Sequence, residues 1–292
     1  MILQITLALF SILSILSFFY IFLLECTKGK LHINVRISWG NLGLSYLAIS
    51  TGTLIMSVNE LITRNHTTST VYLVGYIIKT YGSRVNIFAF VAIALERIIS
   101  TFFFKYYTNN LFKHFGWIFS LLSNIIGLSW FLSTQFKIMS TKLKNDIHLY
   151  ILIPTFIVFI LIFLLNYKFR KRFLGAKLRE KYQITQNKEI SLKTLPLITI
   201  ALFIQLMGNV ITRTITITVF KNVYSTYEVE SIYYTMSNIQ LPLMSVISLL
   251  IFDKYLFLVF PCLWKKNSIV PKGNDKQNER EIYFENYKKA WK

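Results

Sequence analysis

The chain has 292 residues, 54% of them hydrophobic and 15% charged, with a mean hydropathy of +0.49. Soluble domains carry about 25% charged residues, so this apolar excess, gathered in long blocks, argues for a polytopic membrane protein. A net charge of +19 would suggest nucleic acid for a soluble chain; here it reads as Lys and Arg held in cytoplasmic loops, and no nucleic-acid partner is expected.

The first apolar block spans about 2–24. It lacks a basic leader and a small-residue cleavage site and is too long for a signal-peptide core. Lys28, Lys30 and Arg36 follow it and would hold that end in the cytoplasm, with the N-terminus outside. The second block, about 37–58, repeats Asn41, Ser45, Ala48 and Gly52 at helical spacing, a helix-packing face. The loop after it, NELITRNHTTST, contains the glycosylation sequon Asn65-His66-Thr67.

The third block, about 71–104, carries Lys79, Arg84 and the adjacent pair Glu96-Arg97 in an otherwise apolar run. Ionisable groups are expensive in lipid and belong on a bundle interior, a wet cavity or an interface. Lys79, Asn86, Ile93 and Arg97 follow steps of seven, seven and four, one inward stripe on a central helix. The fourth block, about 115–134, holds Trp117, Ser120, Asn124, Gly127 and Trp130, and residues 135–148 are expected as an outer loop. The fifth block, about 149–167, contains Pro154, the usual origin of a kink in a membrane helix.

The segment 168–193 is the longest inner stretch and strongly basic. It suits either a solvated extension against anionic lipid or a partner-docking surface. The sixth block, about 195–217, aligns Gln205, Asn209, Arg213 and Thr216 on one face; Arg213 is read first as a snorkelling interfacial residue. The seventh, about 232–252, aligns Tyr234, Asn238, Leu241 and Ser245 around Pro242. The tail, 253–292, starts with a stretch that suits the inner membrane surface and is expected to be disordered from about Ser268. The expected fold is thus an all-α bundle of seven transmembrane helices over 1–252, N-terminus extracellular, C-terminus cytoplasmic. This orientation puts three-quarters of the 32 Lys and Arg on the inner side.

Cys26 and Cys262 both fall at inner helix ends, so no extracellular disulfide is expected; Cys262 is a weak candidate for palmitoylation. The four histidines, His32, His66, His114 and His148, are placed in loops or at helix ends without metal-ligand spacing. No phosphate loop, dinucleotide fingerprint, nucleophile elbow or zinc-protease motif occurs. Neither enzymatic activity nor a cofactor is expected. Glu96 is the one acid well inside the expected spans, which counts against an ion-coupled transporter.

Two runs carry a family resemblance. AIALERIISTFFFKYY (92–107) and LGAKLREKYQITQNKEISLKTLPLI (174–198) resemble the end of the third helix and the inner segment of nematode serpentine chemoreceptors, especially the epsilon class and its Sra-superfamily relatives. The seventh-helix end, LPLMSVISLLIFDKYL, is a weaker match. The chain departs from rhodopsin-like receptors in having Glu96-Arg97-Ile98 rather than Asp-Arg-Tyr, no Asn-Pro-x-x-Tyr in the seventh helix, and no outer cysteine on the third.

The resemblance implies a G-protein-coupled receptor in the plasma membrane of sensory neurons. It would bind a small extracellular molecule among the outer helix halves and act on a heterotrimeric G protein. Arg97, beside Glu96, is the expected switch. Residues i and i+1 do not face each other on a helix, so no pairing is assumed. Lys79, Arg84 and Asn86 would line the pocket with Gln205, Asn209, Tyr234 and Asn238, although packing or snorkelling serves each equally well. The two cations favour an anionic or carbonyl-bearing ligand. The competing readings are a seven-helix ligand-gated channel or transporter, with a cytoplasmic N-terminus in the insect channel type, and a non-signalling scaffold or peptide receptor.

Overall fold

A computed structural model describes residues 2–28, 33–63, 69–103, 114–136, 138, 141–168, 195–214, 238–239 and 242–243. These residues all lie in the first of the chain's two units, 1–247. They are helical and include no strand. In order, the helices are α1 (Ile2–Lys28), α2 (Ile33–Thr63), α3 (Thr70–Phe102), α4 (Phe115–Gln135), α5 (Thr141–Lys168) and α6 (Leu195–Thr214).

Five of them, α1 to α5, contain stretches long and apolar enough to cross a membrane. A hydrocarbon core of about 30 Å needs about 20 apolar residues, and the chain is an integral membrane protein by that measure. Large apolar side chains such as Leu9, Leu16, Trp117, Leu121, Ile157 and Leu161 face outward, as lipid-facing residues do. The sequon, the long inner segment, the tail and most of the seventh expected span lie outside the described residues. So do Asn65, Tyr234 and Cys262.

Helix α3 is the hub. It packs against α2, α4 and α5, while α1 lies on α2 and α6 on α5. The expected stripe of Lys79, Asn86, Ile93 and Arg97 is buried. So are Arg84, Val85, Ile87, Ala89 and Phe90, because neighbours on three sides leave little of the helix circumference uncovered. Its start is fixed by Ser69, whose hydroxyl accepts from Tyr72 N–H at 3.1 Å and donates to Asn59 Oδ1 at 2.8 Å. That N-cap satisfies one of the amides orphaned at a helix start.

Glycines set the spacing of α2 and α3. A Cβ at Gly52 would lie 2.5 Å from both Gly75 O and Lys79 N, and one at Gly82 would lie 2.8 Å from Ala48 Cβ. The two antiparallel helices therefore touch backbone to backbone, the small-residue packing that suits association in lipid. Gly127 of α4 meets Val85 of α3 in the same way, and Gly116 meets Asn34 of α2.

Two sequence expectations are corrected. Residues 135–148 are not all loop: α5 starts at Thr141, well before its apolar span of Ile147–Asn166. Lys142, Lys144 and Asp146 end the apolar run but nothing there breaks a helix, because Gly and Pro are absent until Pro154. Likewise α2 runs Ile33–Thr63 rather than 37–58. Pro154 sits inside α5 without ending it.

Candidate functional site

Four groups of buried polar contacts stand out among the described residues. The first is a ladder linking α2, α3 and α4. Asn41 Nδ2 donates to Ser123 Oγ at 2.7 Å, and Asn124 Nδ2 donates to Asn41 Oδ1 at 2.7 Å. Tyr81 Oη donates to Asn124 Oδ1 at 3.1 Å, and Asn86 Nδ2 donates to Ser45 Oγ at 2.9 Å. Amides and hydroxyls at this depth have no water to turn to, so they find each other.

The second cluster joins α1, α2 and Asn238. Ser50 Oγ donates to Asn238 Oδ1 at 2.9 Å and lies 2.8 Å from Ser14 Oγ. Asn238 Nδ2 donates to Ser11 Oγ at 3.2 Å. Asn238 thus ties this part of the chain to α1 and α2.

The third and fourth hold charges of α3. Near the middle of α3, Arg84 Nη1 lies 2.6 Å from His148 Nε2 of α5. Its guanidinium carbon stands 5.5 Å from the centre of the Trp130 ring of α4. The Trp130 and His148 rings are 5.1 Å apart, and Phe88 meets Trp130 edge-on at 5.6 Å. Arginine only donates, so Nε2 must accept and the imidazole is neutral, with its proton on Nδ1. Three helices therefore converge on one guanidinium. His148 had been placed at a helix end; it is buried within the second turn of α5.

Lower on α3, about 20 Å from Arg84 at 1.5 Å per residue, Arg97 and Glu96 are paired. Nε donates to Oε2 and Nη2 to Oε1, both at 2.5 Å, with side chains 2% and 1% exposed. No pairing was assumed from the sequence, because adjacent residues on a helix do not face each other. That rule concerns Cβ directions, whereas the Arg stem is long enough to fold back and lay its planar fork along the carboxylate. Close by, Asn166 Nδ2 of α5 donates to Thr101 Oγ1 at 3.2 Å.

The residues expected to line one pocket are therefore divided among faces. Arg84 turns to α4 and α5. Asn86 turns to α2, and the stem of Lys79 packs against Gly52 with its ammonium 5.4 Å from the Tyr76 ring centre. Gln205 is buried on α6, and the side chain of Asn209 lies outside the described residues. Trp130 and His148 were missing from the expected set. Among the described residues no three His, Cys, Asp or Glu gather as a metal site would require. Comparison with protein-family models and with curated proteins finds no match to this chain.

Proposed function

We propose that this chain is a chemosensory G-protein-coupled receptor of seven transmembrane helices, N-terminus outside. A small extracellular molecule binds among the outer helix halves, and the signal passes to a heterotrimeric G protein at the cytoplasmic face. The observation that carries the reading is the placement of two separate buried charged clusters on one hub helix. Arg84 with His148 and Trp130 stands near its middle, and Glu96 with Arg97 near its C-terminal end. Buried ionisable groups at membrane depth mark function by default.

In this reading Arg97 is held by Glu96 at rest and exchanges it for a G-protein partner on activation. The ligand must bind the active arrangement better than the resting one. The basic segment 168–193 and the excess of Lys and Arg on the proposed inner side supply the positive cytoplasmic face. The sequon at Asn65 agrees with an outer loop after α2. The protein then sits in the plasma membrane of sensory neurons.

The test is orientation followed by coupling. An N-terminal tag on intact cells is expected to be labelled from outside, and Asn65→Gln to lose glycan mass. The chain in lipid nanodiscs is expected to accelerate nucleotide exchange on a heterotrimeric G protein, and Arg97→Ala to abolish the acceleration. A cytoplasmic N-terminus would overturn the reading and favour a channel.

A further inference from the structure

Near its start, α2 is flanked by two helices that leave a strip of its surface uncovered. On one flank Gly116 N of α4 donates to Asn34 Oδ1 at 3.2 Å, and Asn41 bonds Ser123. Both pairs are 82 residues apart, so α2 and α4 run parallel at a constant offset over these two turns. On the other flank α1 arrives at Gly43, where an added Cβ would lie 2.7 Å from the Phe18 ring. By the 3.6-residue turn, Gly40 falls between the two flanks, and nothing lies within 4 Å of where its Cβ would be. Arg36 one turn before it and Leu44 one turn after it share the strip, and both are exposed. Trp117 and Leu121 of α4, each 62% exposed, stand level with the Arg36–Gly40 turn by the same offset.

We propose that this strip is a groove for an anionic phospholipid. The lipid phosphate meets Arg36, and one acyl chain runs over Gly40 towards Leu44. Lipid is the occupant because the strip faces outward from a chain that spans the membrane, where the surroundings are hydrocarbon. Charge selects the headgroup. Arg36 lies in the first turn of α2, and Lys28 and Lys30 come shortly before it in the chain. A guanidinium meets phosphate in a planar, bidentate way. Each cation near the surface is worth about fivefold in affinity for an anionic lipid. Trp117, the third residue of α4, is an exposed indole near a helix start, as the glycerol level of a bilayer favours.

Glycine is what makes the strip a groove. Any larger side chain at position 40 would occupy the space that the acyl chain fills, whereas Gly43 and Gly116 have theirs taken by Phe18 and Asn34. In the receptor orientation this end of α2 meets the cytoplasmic leaflet, the one rich in anionic lipid. The inference rests on the receptor reading for the leaflet alone.

The experiment uses the full chain in nanodiscs of phosphatidylcholine. A minor fraction of the lipid is dibrominated phosphatidylserine or, in parallel, dibrominated phosphatidylcholine. Bromine on an acyl chain quenches an indole that it touches, and the Trp117 signal is isolated by difference from Trp117→Phe. Wild type is expected to show about a fivefold preference for the serine lipid. Arg36→Gln should lose that preference and Arg36→Lys should keep most of it. Gly40→Leu, which fills the groove and leaves the charge, should reduce quenching by both lipids. Arg172→Gln, in the basic segment 168–193, controls for the general attraction of a cationic chain and should change nothing. Equal quenching by the two lipids in wild type, a preference that survives Arg36→Gln or vanishes in Arg172→Gln, or quenching unchanged in Gly40→Leu would overturn the proposal. Both leaflets of the discs carry the probe, so these results do not depend on orientation. A cytoplasmic N-terminus refutes the receptor reading and leaves the groove. An outer N-terminus without a lipid preference refutes the groove alone.

Discussion

Replacing Gly52 by Ala tests the backbone contact on which the α2–α3 pair is built. The added Cβ would sit 2.5 Å from Gly75 O and Lys79 N, whereas ordinary contact starts at 3.4 Å. The two helices must therefore separate locally by about 0.9 Å, the difference between those distances. Both obstructing atoms are backbone, so no side chain can swing aside. The same separation carried two turns along stretches the Asn86–Ser45 bond from 2.9 Å to about 3.8 Å, past any useful hydrogen bond.

Overpacking costs about 1–3 kcal/mol, and a buried polar bond lost adds about 1 kcal/mol. Against this, Ala improves helix propensity by about 1 kcal/mol, leaving a net loss of about 1–3 kcal/mol. For a chain of 292 residues that is a fall in the unfolding midpoint of about 2–5 °C. Gly40, on the same helix, has nothing within 4 Å of its Cβ position, so Gly40→Ala should hold or raise the midpoint. Thermal unfolding of both variants in detergent decides. If Gly52→Ala melts with Gly40→Ala, close backbone approach is not what holds α2 to α3.

Glu96→Gln leaves the Arg97 guanidinium without its buried carboxylate and should destabilise by about 3–5 kcal/mol. The double variant Glu96→Gln/Arg97→Met, which removes both charges, should recover part of that in the same melting assay. Asn238→Ala removes two bonds that tie α1 and α2 to this part of the chain. At about 0.6 kcal/mol each in a membrane bundle, the loss should be near 1 kcal/mol, detectable as a small lowering of the midpoint. Ser69→Ala removes the N-cap of α3 and should cost about 1 kcal/mol, with Ser69→Asp close to wild type because a carboxylate caps equally well.

Hydropathy located the five spans of α1 to α5 and missed where helices end. A helix stops when its hydrogen-bond ladder is broken, not when its side chains become polar. The expected block of about 149–167 therefore matches the apolar span Ile147–Asn166 in outline, while α5 itself starts at Thr141. The same distinction hid His148, which looked like a loop residue and is instead a buried partner of Arg84. The periodicity of Lys79, Asn86, Ile93 and Arg97 was legible because a helix face repeats on a fixed spacing. It was too narrow because a stripe presumes one buried face, and α3 has neighbours on three. The small residues of α2 were legible for what they are, since only Gly, Ala and Ser allow backbones so close.

Partner identity was the part that a single sequence does not contain. Arg84 could be marked as costly and therefore inward, but its choice of His148, 64 residues away, depends on how α5 is rotated against α3. That rotation is set by packing over the whole contact. Asn86 and Asn238 illustrate the same limit. Each is an intramembrane amide with helical spacing to others, and each was grouped by its stripe. Yet one bonds Ser45 of α2 and the other Ser50 and Ser11, because an amide in a bundle takes whichever acceptor the neighbouring helix presents. Arg97 fails in the opposite direction: its partner is the adjacent residue, reached by a flexible stem that the helix-face rule does not describe. A charge in a membrane bundle thus announces its burial through the cost of exposure to lipid, while its chemistry is set by the partner it meets. At Arg84 that partner is His148 of α5, with the Trp130 ring of α4 beside it, so the burial was legible in one sequence and the company was not.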